Sequence, residues 1–184
     1  MYNILTQFLK ILLEDSSLTM TATEILDKYS TPDICAQALQ NVLPMLGIYS
    51  ANQEPHRIGM FFRCENDGNL VHEFMYQEDA QGVQAGLDFN VERKIRQSKR
   101  TLSDGSYLYD APKHYKDGDF PYAGCIKRNN RYYAASGRNQ RMDETIVTAW
   151  YNEELNLCEQ MMTDKEKQRS YDMDPMDRGV IKKS

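Results

Sequence analysis

Residues 131–150 read RYYAASGRNQRMDETIVTAW, and the pattern changes type within this stretch. The residues up to Ser136 are typical of a strand, a Ser-Gly pair and a basic loop follow, and beyond them apolar residues recur at helical spacing up to Trp150. Asp143 has the short acceptor side chain that caps helix N-termini, so we expect the helix to begin near it. The stretch predicts a last strand, a corner at Ser136-Gly137 and a final helix.

Two hairpins and a helix are predicted upstream of this corner. Residues 57–77 alternate apolar and polar around an Asp67-Gly68 pair, which supplies the positive φ angles of a tight turn, so strands are expected at 57–65 and 69–77. Residues 120–137 predict a second hairpin that turns at Arg128–Arg131. Between the hairpins, QAGLDFNVERKIRQSKRTL has the periodicity of a helix with one basic side.

The first part of the chain predicts helices. An amphipathic helix is expected from about Tyr2 to Leu13, a short one from Thr21 or Thr23, and a third with Thr31 as N-cap and Pro32 as its first residue. We divide the chain into a helical extension (1–30), a domain (31–162) and a flexible tail (163–184). The element order predicts an α+β fold, an antiparallel sheet flanked by helices.

Composition excludes several classes of function. The chain of 184 residues has a formal net charge of -5, which argues against general nucleic-acid binding. The four cysteines form no C-x-x-C pair, so spacing predicts neither a zinc finger nor a thioredoxin-type centre. The apolar start lacks a basic leader and is too short to span a bilayer, so a cytoplasmic protein without a membrane partner is expected.

Four segments carry a resemblance to a known family: CENDGNLVHEFMYQEDA, DFNVERKIRQSKRT, DGDFPYAGCIKRNNRYYAASG and RNQRMDETIVTAW. In order and spacing they resemble the GlcG/HbpS-like "haem-degrading" domain family over roughly residues 58–155. The resemblance implies a profilin-like fold and a homo-oligomer. It also implies a tetrapyrrole ligand, because some members bind or degrade haem or bind a cobalamin-type molecule.

The candidate ligand-binding residues lie on the basic helix and at the corner. Anionic groups of a ligand would meet the guanidinium groups of Arg93, Arg96 and Arg100. At the Ser136-Gly137 corner they would meet Arg138, Arg141 and the free N–H groups of the final helix. His114, on an aromatic loop, is a candidate axial haem ligand or else a surface histidine.

A catalytic role for Ser136 would require a base, and none of the three histidines, His56, His72 and His114, stands in a recognisable triad. The alternative is a tight corner where glycine permits close packing. The leading hypothesis is therefore a small-ligand-binding oligomeric domain, for haem or another planar or anionic molecule. A non-enzymatic protein adaptor and a PAS- or GAF-type sensor are the alternatives, and catalytic residues stay unassigned.

Overall fold

The computed structural model describes residues 20–48, 59–76, 84–108, 116, 119 and 121–163. The predicted helix at Tyr2–Leu13 and the predicted tail beyond Thr163 lie outside these residues. So do His56 and His114. Among the helices that are described, none combines the length and the apolar character needed to cross a membrane.

Four helices and four strands follow one another in the described part of the chain. The helices are α1 (Ala22–Tyr29), α2 (Pro32–Met45), α3 (Gln84–Thr101) and α4 (Gln140–Gln160). The strands are β1 (Met60–Asn66), β2 (Asn69–Tyr76), β3 (Cys125–Arg128) and β4 (Arg131–Ser136). They form one antiparallel sheet in the order β2-β1-β4-β3. This confirms the predicted α+β fold with helices flanking an antiparallel sheet.

Both faces of the sheet are covered, because alternate residues of each strand point to opposite sides. Phe62 and Tyr133 belong to the larger core cluster, which also contains buried residues of α1, α2 and α4. Phe61 and Ala134 belong to the second cluster, which includes the apolar side of α3. The central strands β1 and β4 are therefore packed on both faces, and α3 lies on the face opposite the other helices.

Local sequence signals predicted several element ends correctly. Thr31 caps α2 by accepting a hydrogen bond from Ile34 N, with Pro32 as the first helical residue. Thr21 forms a capping box at the start of α1. Asp67 and Gly68 take the predicted positive φ angles, 49° and 85°. These signals act within a few residues, which is why the sequence alone reveals them.

The predicted start of the final helix was wrong. Helix α4 begins at Gln140, and Asn139 is its N-cap, whose side chain accepts from Met142 N at 3.0 Å. Asn139 has the same short acceptor side chain as Asp143 and comes first along the chain. Asp143 lies one turn inside the helix, where it is buried.

Gly137 lets the chain turn from β4 towards α4 close to the start of β1. Its φ angle is 137°, and a Cβ atom there would lie 2.5 Å from the carbonyl oxygen of Gly59 and 2.9 Å from the Cα of Met60. Ser136, the last residue of β4, is buried. The Ser136-Gly137 pair is thus a packed strand-to-helix corner.

We expect Gly137→Ala to lower the free energy of unfolding by about 2–5 kcal/mol, because the new methyl group adds both backbone strain and a steric overlap. Urea denaturation measures this change. Gly86→Ala in α3, where a Cβ meets no atom within 4 Å, is the matched control and should be neutral or stabilising by up to about 1 kcal/mol. Equal effects of the two substitutions would contradict the steric account of the corner.

Candidate functional site

The three predicted arginines of the basic helix all lie on α3, in different settings. The guanidinium carbon of Arg93 lies 4.0 Å from the ring centroid of Phe89, a cation–π contact. Arg100 donates to the Asp119 carboxylate at 2.6 Å. This hydrogen bond, together with the nearby charge of Arg96, lowers the pKa of Asp119. Helix α3 thus carries these three guanidinium groups in addition to Lys94 and Lys99, and one of them, Arg100, pairs with Asp119.

Gln97 is the unusual residue of this helix. Its side chain is fully buried, and within the described residues neither the amide nitrogen nor the amide oxygen has a hydrogen-bond partner. The Nε of Arg93 is also buried without a partner there. Nearly all buried polar groups in proteins are paired, so each exception calls for an explanation.

Helical spacing brings these groups together. Residues three and four apart are neighbours on a helix surface, so Arg93, Gln97 and Arg100 form one stripe with Arg96 beside it. We call these four residues the α3 flank. The sequence analysis identified its arginines but missed Gln97, because a glutamine in a basic run is typical of a solvated helix side.

At the corner, a buried ion pair occupies the place where an anion was expected. The Nζ of Lys94 donates to the carbonyl oxygen of Ala135 at 2.7 Å and lies 3.1 Å from the Asp143 carboxylate. Asp143 also accepts the backbone N–H of Arg138 at 3.1 Å. Because this carboxylate already uses an N–H of the corner, the loop from Ser136 is a poor anion site.

Burial dominates the electrostatics of this pair. It lowers the pKa of Lys94, against the pull of the Asp143 charge. It raises the pKa of Asp143 to about 6, although the Lys94 ammonium opposes the shift. Gly124 makes room for the lysine, since a Cβ there would lie 2.7 Å from Nζ. Sequence reasoning missed Lys94 and its partnership with Asp143.

Arg141 lies elsewhere, in an open cleft of about 560 Å³ along the outer side of α4. Tyr107, Glu144, Thr145 and Thr148 line the cleft with it. The two threonine hydroxyls donate to helix carbonyls, at 2.8 and 2.7 Å, and Glu144 adds a carboxylate. Besides Arg141 the cleft offers an anion the side-chain amide of Asn152, opposed by the Glu144 carboxylate, and we favour the α3 flank.

The structure also bears on the possible bases for Ser136. His72 pairs with Cys64 in the β1–β2 register, on the face of the larger core. Ser136 pairs with Phe61, whose side chain is on the opposite face. His72 is half-buried against Phe74 and Trp150, with ring centroids 6.5 and 6.2 Å away. Across the sheet, this imidazole cannot serve Ser136 as a base.

A second buried ion pair lies inside the larger core. Arg131, the first residue of β4, donates to the Glu154 carboxylate at 2.8 Å and to the carbonyl oxygen of Leu26 at 3.1 Å. Glu154 also accepts from Ser30 at 2.5 Å and from the Tyr133 hydroxyl at 3.0 Å. Both Glu154 oxygens are thus engaged, although the carboxylate is fully buried.

Two cysteines complete this cluster. The Sγ atoms of Cys35 and Cys64 and a carboxylate oxygen of Glu154 all lie within 4.8 Å of one another. Hydrogen bonding to Cys64, burial and the Glu154 charge raise the pKa of Cys35, so its thiol is protonated. The sequence analysis missed this group, whose members are far apart in the chain.

Replacing Glu154 with glutamine tests how far the core depends on its charge. We expect Glu154→Gln to lower the free energy of unfolding by about 3–5 kcal/mol, because it leaves the buried Arg131 charge without its counter-charge. The double variant Arg131→Met with Glu154→Met should recover most of this loss. Urea denaturation compares both with Glu153→Gln, a less buried neighbour. A loss below about 1 kcal/mol in Glu154→Gln would contradict a charge-dependent core.

The Asp143 carboxyl makes stability depend on pH. Its pKa rises from 3.8 to about 6 on folding, so its contribution is fully present below pH 3.8 and is lost as the pH rises through 6. Relative to Asp143→Asn, the wild type should therefore gain about 1 kcal/mol between pH 7 and pH 5.

Urea titrations at both pH values measure this gain. Glu92→Gln, at an exposed position of α3, is the control and should show no such gain. The raised pKa of Asp143 would be refuted if the free energy of unfolding of the wild type, relative to Asp143→Asn, fell between pH 7 and pH 5.

Comparison with known proteins adds no assignment to this geometry. No family model, no curated protein and no solved structure matches the chain.

Proposed function

We propose that this protein binds a small anionic molecule at the α3 flank. The buried amide of Gln97 carries the proposal, because neither of its polar atoms has a partner in the part of the chain described. An unpaired buried polar group costs about 1–3 kcal/mol. A ligand that hydrogen-bonds to the amide would offset that cost, so the amide favours an occupied site.

Charge indicates the class of ligand. Arg93, Arg96 and Arg100 place three guanidinium groups on this flank, of which Arg100 pairs with Asp119, on a chain whose formal net charge is -5. Guanidinium groups bind carboxylates and phosphates through paired hydrogen bonds. The amide of Gln97 adds both donors and an acceptor. We infer a ligand with a carboxylate or phosphate and a further polar group.

The resemblance to the GlcG/HbpS-like family extends this proposal. It adds a profilin-like form of the α+β fold, a homo-oligomer in the cytoplasm, and haem or another tetrapyrrole as a candidate ligand. The propionates of haem are carboxylates of the kind that the α3 flank would bind. His114 remains the candidate axial ligand and lies outside the described residues. The adaptor and sensor hypotheses become outcomes of the binding test, since an adaptor requires no small molecule.

Gln97→Met tests two effects of the amide separately: its effect on the stability of the ligand-free protein and its contribution to ligand binding. Methionine has a similar shape and no strong hydrogen-bonding groups, so the ligand-free protein should gain about 1–2 kcal/mol of stability. Three probes are tested on the wild type. The same variant should bind any probe that saturates the wild type at least tenfold more weakly. The probes are citrate and inorganic phosphate, followed by calorimetry, and hemin, followed by its Soret band.

Lys99→Gln is the matched control for this experiment. Lys99 lies on the same helix but pairs with Glu65 at 2.6 Å, away from Gln97, and its loss should change binding less than twofold. Arg93→Gln should weaken binding at least tenfold, whereas Arg141→Gln in the separate cleft should not. Saturation by none of the three probes would overturn the proposal in favour of an adaptor. Equal losses in Lys99→Gln and Arg93→Gln would overturn the site.

A further inference from the structure

Three metal-ligating side chains converge inside the larger core, on the sheet face opposite the α3 flank. Cys35 comes from the first turn of α2, Cys64 from the middle of β1 and Glu154 from the middle of α4. Each is fully buried, and their ligand atoms lie within 4.8 Å of one another. We propose that Cys35, Cys64 and Glu154 form a binding site for a thiophilic divalent cation, with Zn²⁺ as the representative ion.

The distances suit such an ion after a small contraction. Zinc–sulfur bonds of about 2.3 Å at tetrahedral angles place two sulfur atoms about 3.8 Å apart. Ligand atoms already within 4.8 Å would therefore move by up to about 1 Å. Shifts of that size are within the reach of side-chain rotation, so the three elements need not separate.

Surrounding contacts hold the ligands in place. The indole N–H of Trp150 donates to the backbone carbonyl of Cys35 at 2.8 Å, which fixes the start of α2 over the sheet. Directly after Cys64, the β1–β2 pairing has a register shift, and such bulges are common beside functional sites. Hydrogen bonds from Arg131 and Tyr133 orient the Glu154 carboxylate. Outer contacts of this kind are a regular part of metal sites.

Charge balance agrees with this geometry. The ion pair of Arg131 and Glu154 carries no net charge, and the Cys35 and Cys64 thiols lie beside it. When Zn²⁺ binds, two S–H bonds break, two Zn–S bonds form and two protons leave to solvent. The cluster is then again neutral, because two thiolates balance the ion. Arg131 therefore need not be displaced for the cation to enter.

His72 is the candidate for the fourth ligand. It lies opposite Cys64 in the β1–β2 register, so the two side chains share a sheet face. The imidazole is half-buried at this point. Two thiolates, an imidazole and a carboxylate are ordinary zinc ligands. Because the three inner ligands are sealed from solvent, we expect the ion to enter during folding.

The test uses the full chain without a polyhistidine tag. The protein is unfolded under reducing conditions, refolded with one equivalent of zinc and freed of loose metal by gel filtration. Elemental analysis should then find one zinc per chain, and refolding with Co²⁺ should give a sulfur-to-cobalt charge-transfer band. Cys35→Ser and Cys64→Ser should abolish the band, while Cys125→Ser, at a buried cysteine of the other core cluster, should keep it.

The metal content and cobalt band of the wild type decide the test even if a serine variant fails to fold. A refolded wild type without stoichiometric metal or a cobalt band would overturn the proposal. So would a thiol count of two after the protein is unfolded without reductant, because Cys35 and Cys64 are the described cysteines close enough to form a disulfide. His72→Gln should weaken zinc binding at least tenfold, and an unchanged affinity would remove His72 from the site. The readouts are independent of the α3 flank, so either proposal can fail alone.

Discussion

The ion pair between Arg131 and Glu154 is the interaction on which the larger core depends. Taking a charge out of water costs several kcal/mol unless a counter-charge and hydrogen bonds accompany it. Here the pair joins the first residue of β4 to the middle of α4, and its remaining bonds reach Leu26 and Ser30 at the end of α1. The buried charges must keep their partners, so the sheet and the helices on that face are held in one arrangement. Apolar packing alone is less strict, because it tolerates small shifts.

A second buried pair holds the other end of the same strand. Lys94 reaches from α3 to the carbonyl of Ala135 and to Asp143 in the first turns of α4. Since α3 and α4 cover opposite faces of the sheet, this pair connects the two layers around the end of β4. The Ser136-Gly137 corner lies beside these contacts, and Asp143 accepts the N–H of the next residue, Arg138. The corner therefore has a structural role, which is to join β4 to α4.

What could be predicted from sequence was local. Caps such as Thr31 and the Asp67-Gly68 turn depend on neighbours within a few residues, and the apolar periods place α3 and the hairpins. The buried charges depend on partners far along the chain: Lys94 and Asp143 are 49 residues apart, and Arg131 and Glu154 are 23 apart. Helical spacing did carry a signal, because Glu154 lies four residues from both Trp150 and Cys158, on the buried side of α4. A charge in that position indicates a buried partner but does not identify it.

The two candidate sites differ in the hydrogen bonds of their buried polar groups. On the α3 flank, Gln97 and the Nε of Arg93 have unused hydrogen-bonding capacity, so a polar ligand can bind by satisfying groups that are now unpaired. Around Glu154 both carboxylate oxygens already accept hydrogen bonds, so a neutral polar ligand there would compete with existing bonds, and the Nε of Arg131 is the atom left unpaired among the described residues. This cluster can instead exchange two thiol protons for a divalent cation. The charge of the cluster does not change, because two thiolates balance the ion. One sheet thus presents a site for an anion on one face and a site for a cation on the other, and in each case the state of the buried polar groups indicates which kind of ligand fits.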